Sequence, residues 1–151
     1  MNAKRYFFVL AVVLLSLISL FSYNRHSGSF IVQNIKYVEL AGQKISVELA
    51  ISQEELVRGL SGRIGLNTNT GMLFVFPIRA SKFWMKGMNF PLDIIWINKN
   101  MRVVYVKKDA EPKDFPETYG PEDEARYVLE VSAGFVDRYG LQVGDEVKFT
   151  E

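Results

Sequence analysis

Residues 83–97 read Phe-Trp-Met-Lys-Gly-Met-Asn-Phe-Pro-Leu-Asp-Ile-Ile-Trp-Ile. From Leu92 to Ile97 the run is rich in β-forming residues, and Met101–Val106 is a second such run. Asn98-Lys99-Asn100 between them suits a hairpin turn, because asparagine tolerates the left-handed conformation. Lys86 and Asp93 interrupt a stretch otherwise built for a core. Charged groups are rarely fully buried unless paired, so these two face a cleft or neutralise something inside it.

The same reading extends outward in both directions. Ile35–Leu40 and Lys44–Ile51 flank Ala41-Gly42-Gln43, a hairpin signal. In the second run Ile45, Val47, Leu49 and Ile51 alternate with Ser46, Glu48 and Ala50, the period of a strand with one buried face. Ser52 followed by Glu55 is a capping box that starts a short helix, and Gly59 ends it. Turn material at Asn67–Gly71 leads into an apolar run closed by Pro77. Arg126–Val131 is again strand, Ser132–Tyr139 a short helix stopped by Gly140, and Glu146–Thr150 a last strand. The expected fold is therefore mainly β, a compact β-sandwich or barrel of about seven strands with two short helices. Asp109–Glu124, with three prolines and seven acidic residues against one lysine, is expected as a solvated loop. Its oxygen ligands lack the glycine-centred spacing of a calcium loop.

Tyr6–Tyr23 is 18 residues without a charge, preceded by Lys4 and Arg5. As a helix it would span about 27 Å, close to the apolar thickness of a bilayer. The expected organisation is a membrane anchor or signal segment over 1–23, a tether over 24–33 and one β-rich domain over 34–151. Positive charge ahead of the run keeps the N-terminus in the cytoplasm and exports the rest. The length of the run and Phe21 and Tyr23 at its exit favour a retained, single-pass anchor. The alternative is a secreted or periplasmic domain cut after Ser29. With no cysteine there is no lipid attachment, disulfide or thiolate metal site, so the core alone holds the exported domain. That part carries 16 basic against 17 acidic residues once Lys4 and Arg5 are set aside. No basic patch for nucleic acid is visible.

Six ordered blocks carry a resemblance. They are Arg58-Gly59-Leu60-x-x-Arg63, Gly71-Met72-Leu73-Phe74-x-Phe76, Phe83-Trp84-Met85-Lys86, Pro91-Leu92-Asp93-Ile94, Tyr127-Val128-Leu129-Glu130-Val131-x-Ala133-Gly134 and Gly144-Asp145-x-Val147. From about Val47 to Phe149 the chain resembles the Domain of Unknown Function 192 family. The resemblance implies a small β-rich domain of bacteria and archaea, often behind an export signal or anchor, with no established activity. The family usually has Met at the place of Ser61 and Asn-Thr at the place of Gly87-Met88, so a polar contact made there in relatives is changed here. Asn89 would supply an amide two positions along.

The candidate ligand-binding residues are Arg58, Arg63, Trp84, Lys86, Asn89 and Asp93. Two guanidinium groups following a glycine-bent turn suit a carboxylate, phosphate or sugar acid. The competing reading pairs them with Asp93 or Glu130 to hold loops to the sheet. Trp84 offers a stacking face beside Lys86, whereas Trp96 inside Ile95–Ile97 is expected to fill the core. Asp93 and Glu130 are the catalytic candidates, as an acid–base pair of a hydrolase. Against this, Asp93 is expected to be buried and answered by Lys86, an arginine or backbone N–H groups. Glu130 is expected on a solvated face or paired with an arginine. Met72, Met85, Met88 and Met101 read as core rather than copper(I) ligands. No cofactor or metal is called for, and the one histidine, His26, lies outside the domain, which removes a Ser-His-Asp triad. The leading expectation is a membrane-tethered extracytoplasmic binding or accessory module for an envelope glycan or small polar ligand. A structural or protein-interaction domain and a carboxylate hydrolase are the alternatives.

Overall fold

The computed structural model describes Val13 and residues 34–80, 82–122 and 125–151. Apart from Val13, the expected anchor over 6–23 and the tether lie outside the described residues. Residues 35–151 form a compact unit with a core of its own.

Seven strands are present: β1 (Tyr37–Leu40), β2 (Gln43–Ala50), β3 (Thr70–Val75), β4 (Leu92–Asn98), β5 (Val103–Ala110), β6 (Ala125–Ser132) and β7 (Lys148–Thr150). Two short helices, α1 (Gln53–Arg58) and α2 (Phe135–Tyr139), and a 3-10 turn at Pro112–Asp114 complete the described elements. The strands make one sheet in the order β5-β4-β6-β3-β2-β1-β7. Neither a two-sheet sandwich nor a closed barrel is formed. The sheet instead curls into a half-barrel in which its two ends touch at one corner. There the Val103 N–H donates to the Asp145 carbonyl at 3.0 Å and the Val147 N–H to the Met101 carbonyl at 2.9 Å. Beyond one bridge, Arg102 with Glu146, β5 and the 144–147 segment share no ladder.

Each local device follows from the residues that make it. Asn98 does not itself turn left-handed in the β4–β5 hairpin; Met101 does, with φ of 57°. Asn98 instead accepts the Asn100 and Arg102 N–H groups on its side-chain oxygen at 2.9 and 3.0 Å, the mimicry of a backbone turn that asparagine offers. Helix α1 opens on the full capping box, with Ser52 Oγ accepting from the Glu55 N–H and the Glu55 carboxylate accepting from the Ser52 N–H. β2 and β3 run parallel, and parallel neighbours need a crossover. That crossover, residues 51–69, carries α1 across one face of the sheet.

Register assigns the faces. Met72 and Ile94 both sit opposite Glu130, while Phe74 and Trp96 sit opposite Val128. Opposed residues share a face. These side chains, except Glu130, pack with Leu60, Phe76, Met85, Leu92, Ala110 and Tyr119 into one core cluster. Leu73, Leu129, Val131 and Ile95 face the other way, under α2, with Val136 and Val147 also buried. β4 lies between two strands and its first six residues are buried, as its near-continuous apolar run requires. Each large side chain fully buried contributes about 1.5–3 kcal/mol.

Candidate functional site

A cleft of about 440 Å³ opens on the face that α1 crosses. Its floor is aromatic. Phe83 meets Phe74 edge-on with ring centres 4.9 Å apart, and meets Phe76 and Trp96 at 6.1 and 5.7 Å. One wall is α1 and the turn behind it, with Leu56, Val57, Arg58, Leu60 and Ser61; the other is the irregular segment 77–88 between β3 and β4. The walls are tied together. Ser61 Oγ donates to the Lys86 carbonyl at 2.9 Å, and the Gly62 N–H donates to the Gly87 carbonyl at 2.9 Å. Gly87 takes a left-handed φ of 71°, and a Cβ there would lie 3.4 Å from Ser61. Ser61 and Gly87 therefore meet where the two walls join.

The segment 77–88 is held from behind as well. Phe83 and Tyr119 exchange both backbone N–H···O bonds at 2.8 Å, and Lys82 Nζ lies 2.8 Å from Glu122. The proline-rich stretch expected as a solvated excursion is thus a brace. Tyr119 is buried at its centre, and its hydroxyl donates to Asp114 at 2.9 Å.

Glu130 lines the floor of this cleft. Only 5% of it is exposed, and Oε2 has no hydrogen-bond partner among the described residues. Burial, with no compensating cation, pushes its carboxyl from 4.5 up to about 8. At neutral pH the group is therefore mostly a neutral acid, able to donate and to accept. The expectation that Glu130 is solvated or paired with an arginine is corrected. Alternation along β6 places it beside Val128, and α1 and residues 77–88 cover that face.

Asp93 belongs elsewhere. It sits opposite Val131, one residue out of step with the Ile94–Glu130 pair, so it points to the other face of the sheet. There its two oxygens accept the Asp109 N–H at 2.9 Å and the Val136 N–H at 2.8 Å. It fastens β5 and α2 to β4, and the backbone answers it rather than Lys86 or an arginine. The sheet separates the two carboxyls, so the acid–base pair expected of a hydrolase is not assembled.

Three of the six ligand-binding candidates, Arg58, Trp84 and Lys86, line the cleft. Trp84 is half exposed, with Lys86 Nζ 5.5 Å from its ring centre and Phe115 edge-on at 5.8 Å. Among the described residues no carboxylate pairs with Lys86. Arg58 lies 3.9 Å from Glu54, one helical turn back, and both are exposed. Arg63, Asn89 and Asp93 are outside the cleft. Arg63 makes a two-pronged bond to Glu48 at 2.6 and 2.7 Å, which holds the Glu48 carboxyl below its usual range. The side-chain amide of Asn89 donates to the Arg63 carbonyl at 2.9 Å, so it braces the turn. Neither arginine pairs with Asp93 or Glu130. Trp96 is fully buried, as expected.

Sequence reasoning missed Arg79 and Lys82, which add charge to the rim, and Ile78, which is 86% exposed at the mouth. The only available signal was their position between Pro77 and Phe83, an apolar residue and two cations in a stretch with no strand or helix pattern.

Comparison with known proteins agrees in fold and supplies no activity. A family described as uncharacterized ACR, DUF192, matches residues 36–149. A UPF0127 protein of Thermococcus gammatolerans is 30% identical over 106 residues, covering 68% of this chain and 65% of that protein. A UPF0127 protein of Thermococcus sibiricus is 29% identical over 84 residues, 54% of this chain and 52% of its own. The matches thus span between half and two thirds of these curated relatives. A crystal structure of a protein of unknown function from Novosphingobium aromaticivorans DSM 12444 superposes with a TM-score of 0.71 and 31% identity. It covers 76% of this chain and 84% of that one.

Proposed function

The chain belongs to the DUF192 family, and we propose, from the cleft rather than from any relative, that it is a binding module for a small ligand. In this reading residues 6–23 hold the domain at the membrane, outside the cytoplasm. The observation that carries the proposal is Glu130. A carboxyl buried without a partner costs stability, and such a group in a cleft wall is better explained by a ligand than by the fold. The surroundings support the same reading. A hollow of this size with a phenylalanine floor and polar groups converging on it is the usual form of a small-molecule site. The phenylalanine floor narrows the expected glycan or small polar ligand to a molecule with an apolar part.

The hydrolase alternative loses its second carboxyl to the far side of the sheet. The purely structural alternative requires the motif charges to satisfy one another. Asp93 and Arg63 have their partners, but among the described residues Lys86 has no carboxylate and Glu130 no cation.

A test uses residues 34–151, which contain the compact unit, titrated with a mixed set of organic acids, glycans and amphiphiles and followed by NMR. Expected are shifts clustered on Phe83, Trp84 and Glu130, abolished in Val57→Trp, in which a large side chain on exposed α1 covers the mouth. Shifts confined to other surfaces, or no shifts at all, would refute the proposal.

A further inference from the structure

We infer that the ligand is an amphiphilic anion, its apolar body against Phe74, Phe76 and Phe83 and its carboxylate or phosphate between Arg58 and Lys86. This rests on the binding reading above and adds the chemical class. Charge is distributed unevenly over the cleft. Among the described residues four cations, Arg58, Arg79, Lys82 and Lys86, border it, and Glu130 is the one carboxyl in its lining. Lys82 is already engaged by Glu122, and Arg58 has only a solvent-exposed Glu54 at 3.9 Å. Lys86 leans on Trp84 and has no carboxylate among the described residues. Lys86, with Arg58 only loosely held beside it, thus leaves positive charge at the mouth where the walls are apolar.

Other ligand classes fit less well. A cation would meet the rim first and find at the floor a carboxyl that burial keeps neutral at pH 7. A glycan presents hydroxyls on most sides, and the floor offers it one polar side chain. An amphiphilic anion satisfies both halves. Its tail removes Phe83 and the exposed tips of Val57 and Ile78 from water, and its head receives charge-assisted hydrogen bonds. An oxygen along its body would accept from the Glu130 acid. The same chemistry is offered by a free organic acid and by an anionic lipid headgroup.

The experiment compares one tail with three heads. Octyl phosphate, octyl glucoside and octyltrimethylammonium, each kept monomeric, are titrated calorimetrically into residues 34–151. Octyl phosphate is expected to bind at least about tenfold more tightly than the other two, the ratio that one charge-assisted hydrogen bond supplies. Lys86→Ala with Arg58→Ala, both at exposed positions, should erase that advantage and leave the glucoside unchanged. Equal or tighter binding of the glucoside or the ammonium overturns the inference, as does phosphate binding indifferent to both substitutions. If no octyl compound binds while the mixed set still shifts Phe83 and Glu130, the class is wrong and the binding site stands. If nothing shifts the cleft, both fall. Sedimentation with phosphatidylglycerol vesicles, lost in the same double variant, would identify a lipid headgroup as the source. Octyl phosphate binding without vesicle binding would identify a free acid.

Discussion

Replacing Glu130 by Gln should change how stability depends on pH more than it changes stability itself. Glutamine keeps the shape and a polar head but carries no proton to lose. In the folded chain the Glu130 acid holds its proton up to about pH 8, whereas in the unfolded chain it ionises near its ordinary value of 4.5. Below the lower value both states are protonated, and the group contributes no pH dependence. Between the two values only the unfolded chain releases the proton, so rising pH favours unfolding. Above about 8 both states are ionised and the loss is complete. Each unit of difference corresponds to about 1.4 kcal/mol, so the gap of about 3.5 units amounts to about 5 kcal/mol. Urea unfolding of the wild type and Glu130→Gln at half-unit steps of pH isolates this quantity, because every other titrating group cancels in the difference. The variant should gain on the wild type through this window and then hold a constant lead, with an unchanged denaturant slope. Parallel curves would refute the reasoning and mean that the carboxyl is hydrated or paired in solution.

Three further outcomes follow from other contacts. Asp93→Ala leaves the buried Val136 N–H and the part-buried Asp109 N–H without their acceptor and should cost about 2–3 kcal/mol by urea unfolding, with Asp93→Asn milder. A loss below about 1 kcal/mol would mean those groups find other acceptors. Gly71→Ala places a Cβ 2.6 Å from the Glu130 carbonyl oxygen, so β3 and β6 must part, at a cost of about 1–3 kcal/mol. An unchanged melting temperature would contradict that packing. In Trp96→Phe, where Trp84 alone reports, iodide should quench strongly while the protein stays cooperatively folded, since half of Trp84 is exposed. Weak quenching would place Trp84 in the core.

Much of the fold was legible because its signals are local. All seven strands, the Ser52–Glu55 cap and the Gly140 stop are written within a few residues of where they act. The open half-barrel was not legible, since it depends on which strand neighbours which. The β3–β6 pairing joins residues more than fifty apart in the chain. At the site, Trp84 and Lys86 were readable as an aromatic beside a cation. Glu130 was readable as a carboxyl within an apolar strand, but its burial was not. That burial comes from α1 and residues 77–88, which close over it from distant parts of the chain. The partners of the arginines were not legible for the same reason: Glu54 and Glu48 lie on α1 itself and on β2, and neither stands out from the many surface glutamates.

Gly87 carries its consequence in the backbone rather than in a side chain. Its torsion is left-handed, and glycine and asparagine are the two residues that enter that region most readily. Substitution at this site is therefore channelled: asparagine could replace glycine and keep the torsion that lets the turn meet Ser61. A β-branched residue would cost the cleft its shape while leaving every one of its charges in place.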